Sequence, residues 1–163
     1  MTRERFNWIL TGLIVGIALA MLGVTNGFGA DLPAGQALVD HRVAALKKAG
    51  GSMQFFAQYD GSDAAAAVAA AKVLDDTAAA LLSWFPEGSG PGGAGVEKTR
   101  ALPVIWTDFA DFEAKAKAFD DAVGPMTAAA AANDVAAIQA ALAGVGKSCK
   151  ACHETYRGPE EDE

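Results

Sequence analysis

Residues 105–126 read IWTDFADFEAKAKAFDDAVGPM. Ile105, Phe109, Phe112, Ala116, Phe119, Val123 and Met126 recur there at alternating steps of four and three. That spacing stacks side chains on one face of an α-helix. It persists through six intervals, the strongest periodic signal in the chain, and Pro103 suits a first helical turn just ahead of it. On the opposite face, Asp111–Lys115 and Glu113–Lys117 are i,i+4 pairs in the favourable order. Gly124-Pro125 predicts a weakened end.

Three more helical patterns flank this one. The first spans about Leu38 to Phe56, with Leu38, Arg42, Leu46, Ala49, Met53 and Phe56 on one face. Gly50-Gly51 interrupts it. Either the helix ends there or small residues admit a close neighbour; Met53 and Phe56 continue the period, so one helix is expected. The second covers about Ser62 to Phe85, with Ser62 and Asp63 as caps and Val68, Ala71, Leu74, Ala78, Leu81 and Phe85 as its stripe. PEGSGPGGAG at 86–95 has no period and reads as a loop. The last helix starts at the cap Asn133, with Asp134 in its first turn, and runs through Val135, Ile138, Leu142 and Val145 to a stop at Gly158-Pro159. Four amphipathic helices without strand signals predict an all-α, antiparallel four-helix bundle. A three-helix bundle is the alternative if the first helix is broken.

The chain has 163 residues, 52 % of them apolar, and a formal charge of −7. Its alanine-rich runs favour helix, since alanine loses no side-chain entropy there. An acidic chain without a basic stripe does not suit nucleic acid. Residues 1–30 form a separate segment. Arg3 and Arg5 precede an uncharged apolar run from Trp8 to Val24. The run exceeds the roughly 7–15 residues of a removable export signal and approaches the roughly 20 that cross a bilayer. It is therefore either cleaved before Asp31 or kept as an anchor, with membrane contact through residues 8–28. Both outcomes put residues 31–163 outside the cytoplasmic membrane, in a periplasm if the cell has one. Without residues 1–30 the chain keeps 11 basic and 19 acidic side chains, a formal −8, including the acidic tail Glu160–Glu163.

The last helical face leads to KSCKACHETYR at 147–157, which holds both cysteines of the chain, Cys149 and Cys152, and His153, one of its two histidines. A disulfide between Cys149 and Cys152 would close a very small loop and stabilise little. A thiol redox pair gains reactivity at a helix N-terminus, and these cysteines sit near a helix end. A structural zinc needs about four ligands, and the only other histidine, His41, lies on another helix. Covalent haem attachment uses all three residues at once: two thiols for two porphyrin vinyl groups, and the imidazole of His153 for the iron. Haem is attached after export, in agreement with the leader.

With LVDHRVAALKKAGGSM at 38–53, LPVIW at 102–106 and CKACHETYR at 149–157, residues 31–158 resemble the class II c-type cytochromes, the cytochrome c-prime family. The middle of the chain matches only in pattern. The resemblance implies one covalent haem c per chain, bound by Cys149 and Cys152, with His153 as metal ligand. It implies that Arg42 approaches a haem propionate and that Arg157 lies near the proximal side. Leu46 stands where the family's low-spin relatives carry an iron-ligating methionine, so the iron is expected to have an open face covered by Leu46. Met53 and His41 are the rival sixth ligands. Trp84 and Trp106 are expected to pack in the core or on the haem.

These residues imply periplasmic electron transfer through an exposed haem edge, with Lys147, Lys150 and Arg157 docking an acidic redox partner, soluble or part of a membrane complex. The alternative is binding of nitric oxide or carbon monoxide at the open face. No enzyme activity is expected, because Leu46 offers no distal acid or base. The resemblance also implies a homodimer through the first two helices.

Overall fold

The computed structural model describes residues 32–159. The leader or anchor at 1–30 and the tail Glu160–Glu163 lie outside the described residues. Five α-helices follow: α1 (Gly35–Ala57), α2 (Ala64–Ala80) with a 3₁₀ turn at Leu81–Trp84, α3 (Val104–Thr107), α4 (Phe109–Ala131) and α5 (Val135–Tyr156). α4 packs on both α2 and α5, and α1 closes the ring against α2 and α5. Late α1 meets early α5, where Gln139 Nε2 donates to the Phe56 carbonyl at 2.9 Å. Late α5 meets early α4, where Tyr156 donates to Asp111. The end of the α2 region meets early α4 through the Phe85–Phe112 ring pair. Each packed pair is thus antiparallel, and the fold is the expected four-helix bundle. Among the described residues no helix is long and apolar enough to cross a membrane.

The core sits where the periodic faces converge, with Phe56, Ala67, Leu74, Phe112, Val123, Met126, Ile138 and Val145 fully enclosed. The sequence pattern misplaces several details. Val68 is 48 % exposed; Ala67, Ala71 and Leu74 carry the buried stripe of α2 instead. The long third helix divides at Asp108, whose backbone leaves the helical region (φ −134°, ψ 59°) and whose side chain caps α4 through the Asp111 N–H. Phe109, just past that break, is 38 % exposed. α4 then continues through Gly124-Pro125 to Ala131, because both residues face solvent, where a carbonyl deprived of its helical donor can be hydrated. Lys117 reaches Asp121 at 2.7 Å rather than Glu113; both partners are exposed, so the pair adds little. Lys115 does pair with Asp111, at 3.5 Å.

Of the expected caps, Asp63 starts α2 as read, and the cap of α5 lies one residue later than expected. Asp63 caps α2 through the Ala66 N–H at 2.9 Å. Asp134, not Asn133, caps α5 through the Ala137 N–H at 3.0 Å. Asn133 takes the left-handed conformation (φ 51°) that asparagine tolerates. From there its side chain accepts from Tyr59 Oη at 2.5 Å and donates to the Gly61 carbonyl at 3.2 Å. The two connections at that end of the bundle are thereby tied together.

α1 runs unbroken through Gly50-Gly51. Neither glycine makes room for a neighbour, since an added Cβ would meet nothing within 4 Å. Gly144 on α5 is equally open, whereas a Cβ on Gly90 would lie 2.5 Å from the Trp106 ring. Gly51→Ala and Gly144→Ala should therefore each stabilise by about 1 kcal/mol. Gly90→Ala should destabilise by about 1–3 kcal/mol. Thermal unfolding midpoints of the three variants check both signs.

Candidate functional site

The periodic face of α5 carries Ile138, Leu142, Val145, Cys149, Cys152 and Tyr156 toward the bundle. Cys149 and Cys152 are half-buried against the core, one helical turn apart, and unlinked. Burial raises both thiols above the ordinary cysteine range, and Cys152 reaches about 11, with the neighbouring Cys149 adding to the effect. A redox pair needs the opposite shift. Among the described residues, no three His, Cys, Asp or Glu side chains come together as a metal would require.

His153 is half-buried in an open cleft of about 550 Å³, beside Gly146, Cys149, Lys150, Arg157 and Arg100. Burial lowers its pKa first, and the cations Arg157 and Arg100 add to the shift. The imidazole is thus kept neutral, the form that ligates a metal.

α1 does not line this cleft; it packs on α5 along the neighbouring seam. A Cβ built on Gly146 would lie 4.0 Å from Met53 Cε, so Met53 stands opposite Gly146 across the α1–α5 seam. His153 is seven residues beyond Gly146. In an antiparallel pair the part of α1 level with it lies about seven residues before Met53, around Leu46 and Arg42. Two helical turns, about 10.5 Å along the axis, therefore separate Met53 from the level of His153. Leu46 is partly buried and packed against the core. His41 is exposed, with its ring edge-on to Trp84 at 5.7 Å on the side of the 3₁₀ turn.

Arg42, one turn before Leu46, is only 2 % exposed. Nη1 donates to the Trp84 carbonyl and Ser89 Oγ, both at 3.2 Å. Nη2 donates to the Ser89 carbonyl at 3.1 Å and Thr99 Oγ1 at 2.9 Å. The guanidinium also lies 4.5 Å from the centre of the Phe85 ring. An anionic partner is what the sequence suggests for a buried arginine. Here all four terminal N–H bonds end on neutral acceptors, leaving only the Nε–H for a carboxylate. Trp106 donates through Nε1 to the Phe85 and Pro86 carbonyls, and Trp84 is buried, so both tryptophans serve the core and the 84–90 segment. Arg157 is exposed at the cleft, with its backbone bridged to Ala101.

One part of the site escaped the sequence reading. Tyr156 is buried, edge-on to Phe112 at 5.1 Å, and its hydroxyl donates to Asp111. It lies four residues after Cys152, on the same helical face, which is the signal that could have found it.

The donor set fits a covalent haem. Two thiols share one helix face, a histidine whose burial favours the neutral imidazole follows them, and Leu46 and Met53 lie on the helix packed alongside. Bundle and site together define a c-type haem protein built on a four-helix scaffold. The Cytochrome C' family profile matches residues 37–157, and the chain belongs to that family, a familiar instance of the up-and-down four-helix bundle. Its members carry covalently bound haem c. A cytochrome c' of Pararhodospirillum photometricum is 37 % identical over 125 residues, covering 75 % of this chain and 97 % of that one. A cytochrome c-556 of Agrobacterium fabrum is 36 % identical, covering 86 % and 93 %. A nitric oxide complex of a leucine-to-valine variant of cytochrome c prime from Alcaligenes xylosoxidans superposes with a TM-score of 0.62 at 34 % identity, covering 76 % of this chain and 95 % of that one.

The Tyr156–Asp111 bond limits stability at both ends of the pH scale. The hydrogen bond from Tyr156, with help from Lys115, holds Asp111 below the usual carboxylate range, so its contribution is present above that range and lost as pH falls through the lowered value. Burial, then Asp111, raises the Tyr156 phenol, so its contribution is present below the ordinary tyrosine range and lost as pH rises through the raised value. Tyr156→Phe should lower the unfolding midpoint most between about pH 5 and 9. The gap from the parent should close below about pH 4, as Asp111 takes up its proton. Midpoints measured across that range check the window.

Proposed function

We propose that this chain is an exported one-haem cytochrome that binds a small neutral gas such as nitric oxide or carbon monoxide at an open axial face. The stagger of α1 on α5 supports the reading: the stretch around Leu46 lies nearer the level of His153 than Met53 does. Leucine has no lone pair to give a metal, so the chain offers one axial side chain, not two.

The haem, when bound, supplies an iron that changes between ferrous and ferric and a coordination position for a diatomic ligand. The chain's residues do the rest. Cys149 and Cys152 would hold the group by thioether bonds, each S–H adding across one vinyl double bond, so attachment would need no oxidant. His153 gives the proximal nitrogen lone pair. Leu46 covers the far side with methyl groups that pass a small uncharged molecule and exclude anions and bulkier ligands. It can neither donate a hydrogen bond to bound dioxygen nor move a proton, so the proposed role is binding rather than turnover. Export rests on Arg3, Arg5 and the apolar run from Trp8 to Val24, which support a bundle outside the cytoplasmic membrane, in a periplasm if the cell has one, free or tethered. The nitric oxide complexes of relatives support a gas ligand.

Electron transfer is the second reading. It is favoured by Lys147, Lys150 and Arg157, all exposed at or beside the His153 cleft of an otherwise acidic chain. Such a rim steers an acidic partner to the haem edge.

The two readings separate in one experiment on mature protein made with a working haem-maturation system. Gas binding predicts a broad ferrous Soret band that sharpens on adding carbon monoxide. A sharp ferrous spectrum indifferent to carbon monoxide would contradict it and favour electron transfer.

A further inference from the structure

Residues 84–102 form a strap between α1 and the end of α5. At one end the strap is bound to Arg42 through Trp84, Ser89 and Thr99. Ser89 is buried. Thr99 Oγ1 takes a hydrogen bond from Arg42 and a second from the Ala101 N–H at 3.2 Å, so the guanidinium shapes the turn into the next segment. Gln36 Oε1 holds the same stretch through the N–H groups of Glu97 and Lys98.

At its other end the strap grips the residues that close α5. The Leu102 N–H donates to the Tyr156 carbonyl at 2.9 Å. The Gly158 N–H donates to the Arg100 carbonyl at 2.7 Å. Nε and Nη2 of Arg100 both reach the Gly158 carbonyl, at 3.0 and 2.9 Å. Ala101 and Arg157 form the bridge between them. His153 lies in the last turn of α5, which ends at Tyr156. The last carbonyls of a helix lack internal donors, and a free helix end frays. Here the strap supplies a donor to the last of them, the Tyr156 carbonyl, and Arg100 holds the Gly158 carbonyl just beyond.

We propose that Arg42 is a positioning residue for His153. Through the strap it holds the last turn of α5 in register, and so limits how far the imidazole can swing or withdraw. This rests on the reading of His153 as the iron ligand. It couples the helix that carries Leu46 to the turn that carries His153. The link passes through covalently continuous backbone, with hydrogen bonds at each end.

The test uses the full haem-loaded protein and two variants. Arg42→Gln removes the fork. Thr99→Val removes only the hydroxyl that Arg42 and Ala101 share, and decides the matter if the first variant does not fold. Amide hydrogen exchange should become about tenfold faster at Leu102, Arg157 and Gly158, the scale of one lost hydrogen bond. Phe119 and Val123 in α4 should keep their protection. In the ferrous protein the iron–imidazole vibration should shift or broaden. Unchanged exchange at 157–158 with an unchanged vibration would overturn the inference, as would equal acceleration at Phe119 and Val123, which marks global loosening. Absence of any iron–imidazole vibration in the parent protein would remove the assignment of His153 and this inference with it. A parent vibration that both variants leave untouched removes the inference alone.

Discussion

The packing of Met53 beside Gly146 marks how α1 is staggered on α5. The Met53 methyl lies beside Gly146 on α5, and the Gln139–Phe56 hydrogen bond fixes the antiparallel sense further along. Once that register is set, helical geometry dictates what faces what. Two turns on from Gly146 is His153, and two turns back from Met53 is Leu46. The choice between a ligating and a merely covering side chain therefore follows from how α1 and α5 are staggered. Their composition does not decide it, for a methionine is present on the right face at the wrong height.

A second constraint acts at the end of the bundle that holds His153. Helix termini are the least stable part of any helix, yet His153, the candidate metal ligand, sits in the last turn of α5. The loop at 86–95 looks like a flexible spacer, but the strap that includes it ends in a set of backbone bonds to 156–158. Its anchor is a buried cation with no carboxylate among its four terminal contacts. Such a group costs desolvation, which is why burial lowers its pKa, and it is tolerated because every terminal N–H has an acceptor and two aromatic rings flank the charge.

Much of this was legible in the residues. The four amphipathic patterns, the unbroken α1 and the inward turn of Cys149 and Cys152 follow from 3.6-residue periodicity. So does the identity of the cofactor, because Cys-x-x-Cys-His uses all three side chains for one job. What stayed hidden depends on contacts between distant segments. Nothing in a one-dimensional pattern says that Arg42 would find Ser89 and Thr99, since those acceptors are brought by a loop without period. The break at Asp108 was readable as a cap, but the apolar steps ran straight across it. Val68 was misassigned because alanines on either side are too small to mark which face of α2 is buried. Tyr156 was in phase with Cys152, but its partner Asp111 belongs to another helix and had already been matched to Lys115.

The central claim is that Leu46 faces His153 across the haem while Met53 does not. Replacing Leu46 by methionine and, separately, Met53 by leucine in the haem-loaded protein tests it most directly. The account predicts that Leu46→Met gives a sharp, low-spin ferrous spectrum that no longer responds to carbon monoxide, and that Met53→Leu leaves the parent spectrum and its carbon monoxide response intact. A parent protein that is already low-spin, and becomes responsive to carbon monoxide only on Met53→Leu, would contradict it.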